Sequence, residues 1–321
     1  MHKTPSMLWS VAVCLAVMAL LTGCGTVERS SGKSGTVGKR SGKLYIVGMG
    51  TAPDLITVRG LEAIKKADIV LVHDPQGLAD WKDLIGKKEA WVFPRYNLMF
   101  YGINPDTLSD PSDKALAKKL ETARYEIVHK VRSAVEHGKT VAVLEGGDPM
   151  MYGVTFYLEM LPKDLPSEIV PGVGAFQAAS AAVKMSPPYG WDTNAVILTM
   201  SDWTGRADTN GKLMEAGTSM VFYTMHLDYP KVFTELNRHY PQDTPVAIVC
   251  YAGDRQRQRV LTSTLGRFFD EVNLKDVPAD AHLLLVGKFL TVGQARKDGL
   301  ASGRKFIEMM RYENRQGSEK K

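Results

Sequence analysis

Short runs of consecutive apolar residues, each closed by turn formers and followed by a stretch with helical spacing, recur from residue 43 to about residue 290. Lys43–Gly48 reads as a buried strand, Leu55–Lys66 as a helix and Asp68–His73 as a second strand. That order, joined by short turns, implies a parallel sheet. Residues 91–120 break the rhythm: turn formers and aromatics without a period read as a long loop or lid. Arg124–His137 then reads as a helix, Thr140–Leu144 as a strand, Thr155–Leu161 as a helix, Glu168–Val170 as a strand and Ala175–Val183 as an Ala-rich helix. Pro187, Pro188 and Gly190 interrupt the pattern and mark a boundary between an N-terminal α/β domain, 43–190, and a C-terminal one, 191–294. The second half alternates again. Ala195–Met200, Ser219–Tyr223 and Pro245–Tyr251 read as strands, Lys231–His239 as a helix, Arg257–Thr262 as an antiparallel strand, Leu265–Val272 as a short helix, and Ala281–Val286 as the strand that closes a mixed sheet.

Both ends differ from this body. Lys3 precedes an apolar run, Met7–Leu21, that stops at small residues leading into Cys24. The run is too short for a stable spanning helix and reads as an export signal. It resembles a bacterial lipoprotein signal, which implies cleavage before Cys24, lipidation of that cysteine and a cell-envelope location facing the periplasm, with the outer membrane slightly favoured because no acidic residue follows Cys24. An unprocessed membrane anchor is the alternative. Residues 25–42 are Gly/Ser-rich and read as a flexible tether, and 295–321 as a charged tail. The net charge of +5 sits in these ends: four Lys/Arg against one Glu in 25–42, and eight against four acids in 296–321, leave 43–295 at −3 once Lys3 is counted. The body has no electrostatic footprint for nucleic acid. The three cysteines build neither a disulfide framework nor a metal cluster, and Cys250, inside an apolar run, reads as a small buried hydrophobe.

The chemistry-bearing segment is Thr140–Gly153, a strand that ends in Glu145-Gly-Gly-Asp-Pro-Met-Met-Tyr-Gly153. Gly146 and Gly147 let backbone approach a ligand closely and Pro149 fixes a φ angle. At the end of a strand in an open α/β sheet, this is where a small molecule binds. Gly48-Met-Gly50 falls short of a dinucleotide fingerprint, because Pro53 stands where the third glycine is needed, and no Lys-Ser/Thr follows to make a P-loop. The histidines are scattered without metal spacing.

Four ordered segments resemble the tetrapyrrole (corrin/porphyrin) methylases: Tyr45–Gly50 with Asp54–Thr57 and Ala67–Val70; Glu145–Gly153; Glu168–Val173 with its Ala-rich follower; and Val196–Thr199, Asp243–Val246 and Leu284–Gly287. The wording of the second segment and the Asp243-Thr-Pro-Val strand are most like the branch that methylates precorrin-4 at C11. The resemblance implies two α/β domains with S-adenosyl-L-methionine in the cleft between them, a homodimer, and a small-molecule acceptor of the tetrapyrrole kind. It places Gly48, Gly50, Gly146, Gly147, Asp148, Pro149, Met151, Tyr152 and Gly153 on the cofactor, with Pro171, Gly172 and Val173 at the start of the helix that follows. Tyr223, Thr224, Met225, Tyr251, Ala252, Ala281 and His282 would face the adenosine from the second domain. Asp148 is the matched carboxylate nearest the acceptor, and Arg95, Tyr96 and Tyr101 on the lid are candidate acceptor contacts. The first loop, Thr51-Ala52-Pro53-Asp54, is one residue shorter than the family pattern and lacks the carboxylate after the second turn glycine. Because the methyl donor is made in the cytosol and an exported enzyme has to obtain it outside, a non-catalytic envelope lipoprotein binding a tetrapyrrole or other planar ligand is the second reading.

Overall fold

A computed structural model describes residues 42–153, 156–188, 195–225 and 227–291, with Arg304, Ile307, Glu308 and Arg311. The readings of residues 1–41, Cys24 included, and most of the charged tail lie outside the described residues. No described helix is long and apolar enough to cross a membrane.

Strands β1 (Lys43–Gly48), β2 (Ile69–Val72), β3 (Glu89–Val92), β4 (Thr140–Glu145) and β5 (Ser167–Val170) form one sheet in the order β3-β2-β4-β1-β5, parallel throughout. A parallel sheet has to be covered on both faces, and the sequence supplies both covers. Helix α1 (Val58–Lys66) buries Ala63 and Ile64 against Val47, Val70, Val72 and Leu144. Helix α2 (Pro111–Glu136) lays Ile127, Val128, Val131 and Val135 on the opposite face, over Leu44, Ile46, Leu71 and Val143.

Strands β6 (Val196–Met200), β7 (Ser219–Tyr223), β8 (Pro245–Cys250), β9 (Arg259–Thr264) and β10 (His282–Val286) form the second sheet, in the order β6-β7-β10-β8-β9. It is mixed: β6 and β7 are parallel and the remaining pairs antiparallel. Helix α4 (Tyr229–His239) packs Val232, Phe233 and Leu236 on one face. The other face is covered by α3 (Ala175–Val183), whose Ala178 and Ala179 meet Val221, Val249, Leu283 and Leu285. Because α3 follows β5 in the chain, the first sheet delivers the cover of the second. Cys250 is buried, as a small hydrophobe.

Three sequence expectations are corrected. The 91–120 stretch is not one long lid: β3 occupies 89–92, and α2 begins at Pro111 rather than near Arg124. What remains between them is pinned, because the buried Arg124 guanidinium donates to the carbonyls of Asn97 at 2.6 Å and Met99 at 3.0 Å. The last strand does not close the second sheet but runs through its middle. The helix expected over Leu265–Val272 is a 3-10 turn, Leu265–Arg267, followed by a single α turn, Phe268–Glu271.

Candidate functional site

The C-terminal ends of β1, β4 and β5 each open into a glycine turn, and the three turns pack backbone to backbone. Gly50 and Gly147, both at positive φ (75° and 73°), exchange hydrogen bonds: the Gly147 amide donates to the Gly50 carbonyl at 2.8 Å and the Gly50 amide to the Gly147 carbonyl at 3.2 Å. At that φ a side chain costs strain, so glycine is required. The third turn closes just as tightly, since a Cβ on Gly172 would lie 2.1 Å from the Gly147 carbonyl oxygen. Asp148 ties the turns together. Its carboxylate accepts from the Met150 amide at 2.8 Å and the Gly172 amide at 3.2 Å. Both oxygens are thus committed to backbone, which makes Asp148 a buttress of the turn.

A cleft of about 840 Å³ runs from these turns to the second sheet, at the upper end of the range for small-molecule sites. It brings together Gly50, Gly146, Gly147, Asp148, Met151, Tyr152 and Gly153 with Tyr223, Thr224, Met225, Tyr251, Ala252, Ala281 and His282, and it includes Arg95. Gly48, Pro149, Pro171, Gly172 and Val173 do not line it; Gly48 and Gly172 stack behind the lining turns. Tyr96 and Tyr101 are not brought into the cleft either. Tyr96 is 60 % exposed. Tyr101 packs edge-on against Phe156 and donates to Glu159 at 2.5 Å, and burial together with that carboxylate raises its hydroxyl to about 12.

Three non-glycine residues of the wall have left-handed backbones: Tyr152 (φ 56°), Tyr251 (φ 48°) and Ala281 (φ 56°). Such residues carry a local cost and cluster where a site dictates geometry. Tyr152 meets Tyr223 edge-on with centroids 4.9 Å apart. The Tyr223 hydroxyl faces the Phe176 backbone amide without a hydrogen bond of normal geometry, and burial raises it to about 12. Thr51 Oγ1, buried at the edge of the same cleft, has no hydrogen-bond partner among the described residues. Buried hydroxyls left without partners beside a cleft mark positions where a ligand atom completes the hydrogen bonding. His282 is settled differently. Its Nδ1 faces the Asp280 carbonyl, which can only accept, so Nε2 accepts from the Tyr229 hydroxyl at 2.8 Å. Burial pushes its pKa below the ordinary histidine value, so the ring is neutral.

S-adenosyl-L-methionine fits this wall. It combines a sulfonium cation, two ribose hydroxyls, a purine and an amino-acid end, and the wall offers exposed turn backbone, orphan hydroxyls and aromatic rings. Asp74, Asp80, Asp148, Asp254 and Asp280 line the cleft as well, a balance of charge that suits a cationic ligand.

The cleft also recruits residues that the sequence reading did not select: Thr51, His73, Asp74, Trp81, Asp254 and Arg257 line it, and Glu145 is buried behind it. His73 and Glu145 stand at the ends of strands already located, and position at the C-terminal edge of a parallel sheet was the signal available.

Fold and cleft together define a two-sheet α/β protein that binds a small molecule at the C-terminal edge of its parallel sheet. Residues 43–268 match the family model of Tetrapyrrole (Corrin/Porphyrin) Methylases, and the chain belongs to that family. It is similar to the cobalt-precorrin-4 C(11)-methyltransferase of Priestia megaterium, 29% identical over 252 residues, covering 75% of this chain and 86% of that one. It is also similar to the siroheme synthase of Hydrogenovibrio crunogenus, 27% identical over 267 residues, where it spans 78% of this chain but only 50% of the relative. Among solved structures, a cobalt precorrin-4 methyltransferase of cobalamin biosynthesis superimposes with a TM-score of 0.60 at 26% identity, covering 77% of this chain and 95% of that one. The fold is shared with the uroporphyrin-III C-methyltransferase of Thermus thermophilus in complex with S-adenyl homocysteine, with a TM-score of 0.54 at 19% identity and coverage of 78% of this chain and 100% of that one.

Proposed function

We propose that this chain is an S-adenosyl-L-methionine-dependent methyltransferase whose acceptor is a tetrapyrrole. The observation that carries the reading is the cleft itself: three interlocked glycine turns facing left-handed Tyr251 and Ala281, with a Thr51 hydroxyl that has no hydrogen-bond partner among the described residues and the buried Tyr223 hydroxyl on its lining. The donor supplies an activated methyl carbon, which leaves the protein to align the reactants and exclude water. The turn amides and carbonyls of 146–153 hold the amino-acid and sulfonium side, Tyr152 and Tyr223 wall off solvent, and the segments 223–225, 251–252 and 281–282 receive the nucleoside. His282, neutral and bonded on both nitrogens, fixes the backbone beside it: its carbonyl accepts from Thr224 Oγ1 at 2.5 Å. Asp148, which accepts from two amides and lines the cleft, orients the turn. The working unit in this reading is a homodimer, tethered through lipid on Cys24 to the envelope membrane and facing the periplasm.

Isothermal titration of the purified chain with S-adenosylhomocysteine tests the reading. Binding in the micromolar range supports it, and no heat at millimolar ligand rejects it.

One observation favours the second reading, a non-catalytic ligand-binding envelope protein. The one carboxylate of the shortened first loop, Asp54, pairs outward with Arg255 and does not line the cleft. A chain that binds a porphyrin but transfers no labelled methyl group to uroporphyrinogen III or to a cobalt-precorrin-4 would support this reading over the first.

A further inference from the structure

The C-terminal edge of the first sheet divides at β4. The ends of β4, β1 and β5 carry the glycine turns, whereas the ends of β3, β2 and β4 carry Arg95, His73 and Glu145. Glu145 closes β4 opposite Gly48 and is 0 % exposed. A carboxylate so completely removed from water needs charged or hydrogen-bonding partners on both oxygens. Oε1 meets His73 Nε2, and Oε2 accepts from an Arg95 Nη2 at 2.8 Å. His73 Nδ1 lies 3.1 Å from the Phe93 carbonyl, which can only accept, so Nδ1 carries a hydrogen, and Nε2 faces Glu145. Both ring nitrogens of His73 are therefore used.

Arg95 differs. Its side chain is 52 % exposed and lines the cleft, and among the described residues Glu145 is its one partner, so most of its five N–H donors are free. The other arginine on the lining, Arg257, is paired with Asp254 at 2.7 Å and lies over the Tyr251 ring. Asp74, Asp80, Asp148 and Asp280 also line the cleft, so Arg95 is the lining cation left with free donors for an anionic acceptor. We propose that Arg95 is the specificity-determining residue for the acceptor, taking one of its carboxylates in a two-pronged hydrogen bond, and that Glu145 and His73 are the positioning pair that aims the guanidinium. A rigid fork held by a buried carboxylate suits planar carboxylate recognition. The inference rests on the methyltransferase reading above.

The test uses the full chain in detergent, saturated with S-adenosylhomocysteine and titrated with uroporphyrin, a coloured tetrapyrrole with free carboxylates. Arg95→Ala is expected to weaken uroporphyrin binding about tenfold to a hundredfold, with S-adenosylhomocysteine affinity within about twofold of the original. Arg95→Lys, a point charge without the fork, should fall between. Glu145→Gln should weaken uroporphyrin several-fold, and adding it to Arg95→Ala should cost nothing more, because a positioning residue acts through the group it aims; a merely structural residue would add its own loss. Uroporphyrin binding unchanged in Arg95→Ala, or equal loss of both ligands, overturns the assignment. So does an original chain that binds S-adenosylhomocysteine but not uroporphyrin. If the original chain binds no S-adenosylhomocysteine, the methyltransferase reading itself fails, and this inference with it.

Discussion

A Cβ on Gly172 would sit 2.1 Å from the Gly147 carbonyl oxygen and 2.8 Å from the Gly48 carbonyl carbon, and neither backbone atom can rotate aside. Gly146 is the opposite case, with nothing within 4 Å of its added carbon. The pair separates scaffold from pocket. Gly172→Ala is expected to lower the melting temperature and S-adenosylhomocysteine affinity together. Gly146→Ala should leave the melt unchanged while its methyl intrudes on the ligand, a contrast that calorimetry of both variants reads directly. His282 gives a pH prediction. Its folded pKa lies below the unfolded value, so the unfolded chain binds the extra proton first; the stability it contributes is fully present above the unfolded value of about 6.5 and is lost as pH falls from there through the lower folded value. His282→Gln should flatten the fall in melting temperature between pH 7.5 and 5.5. At this scale the glycine turns were legible because Gly and Pro act locally. Arg95, His73 and Glu145 could not be read as a cluster, since residues 50 and 72 positions apart meet only once the strands are ordered.

The elements were legible where burial repeats in sequence: Lys43–Gly48, Ser219–Tyr223 and Ala175–Val183 occur as read. Strand order was not. Residues 283–286 are uniformly apolar whether the strand ends a sheet or is inserted into it, and pairing with β7 and β8 decides the matter. The first half of α2 escaped because Lys, Glu and Thr crowd it and it packs on irregular loop rather than on a sheet. A signal was present all the same: Asp110 caps the helix, accepting from the Ser112 amide at 2.7 Å, with Pro111 as its first residue. Asp110→Ala is expected to lower the denaturant midpoint, read by urea unfolding. Leu120→Ala, which empties a site only 1 % exposed, should cost about 2–5 kcal/mol.

For the whole molecule, the sequence located two α/β halves and the ligand cleft, because the βα alternation and the glycine turns recur in order along the chain. How the halves interlock depends on contacts between distant segments and was not legible. The envelope reading rests on Cys24, and labelled palmitate tests it: the original chain should take up label and Cys24→Ala should not, whereas equal labelling would reject lipidation at that position.

Helix α3 carries a further consequence. It leaves the first sheet only to roof the second, with Ala178 and Ala179 seated on Val249, Leu283 and Leu285. Peptides ending at Pro188 and beginning at Ala195, co-expressed as separate pieces, should reassemble without a covalent link and co-purify. Expressed alone, the later piece would expose a bare aliphatic plane and precipitate.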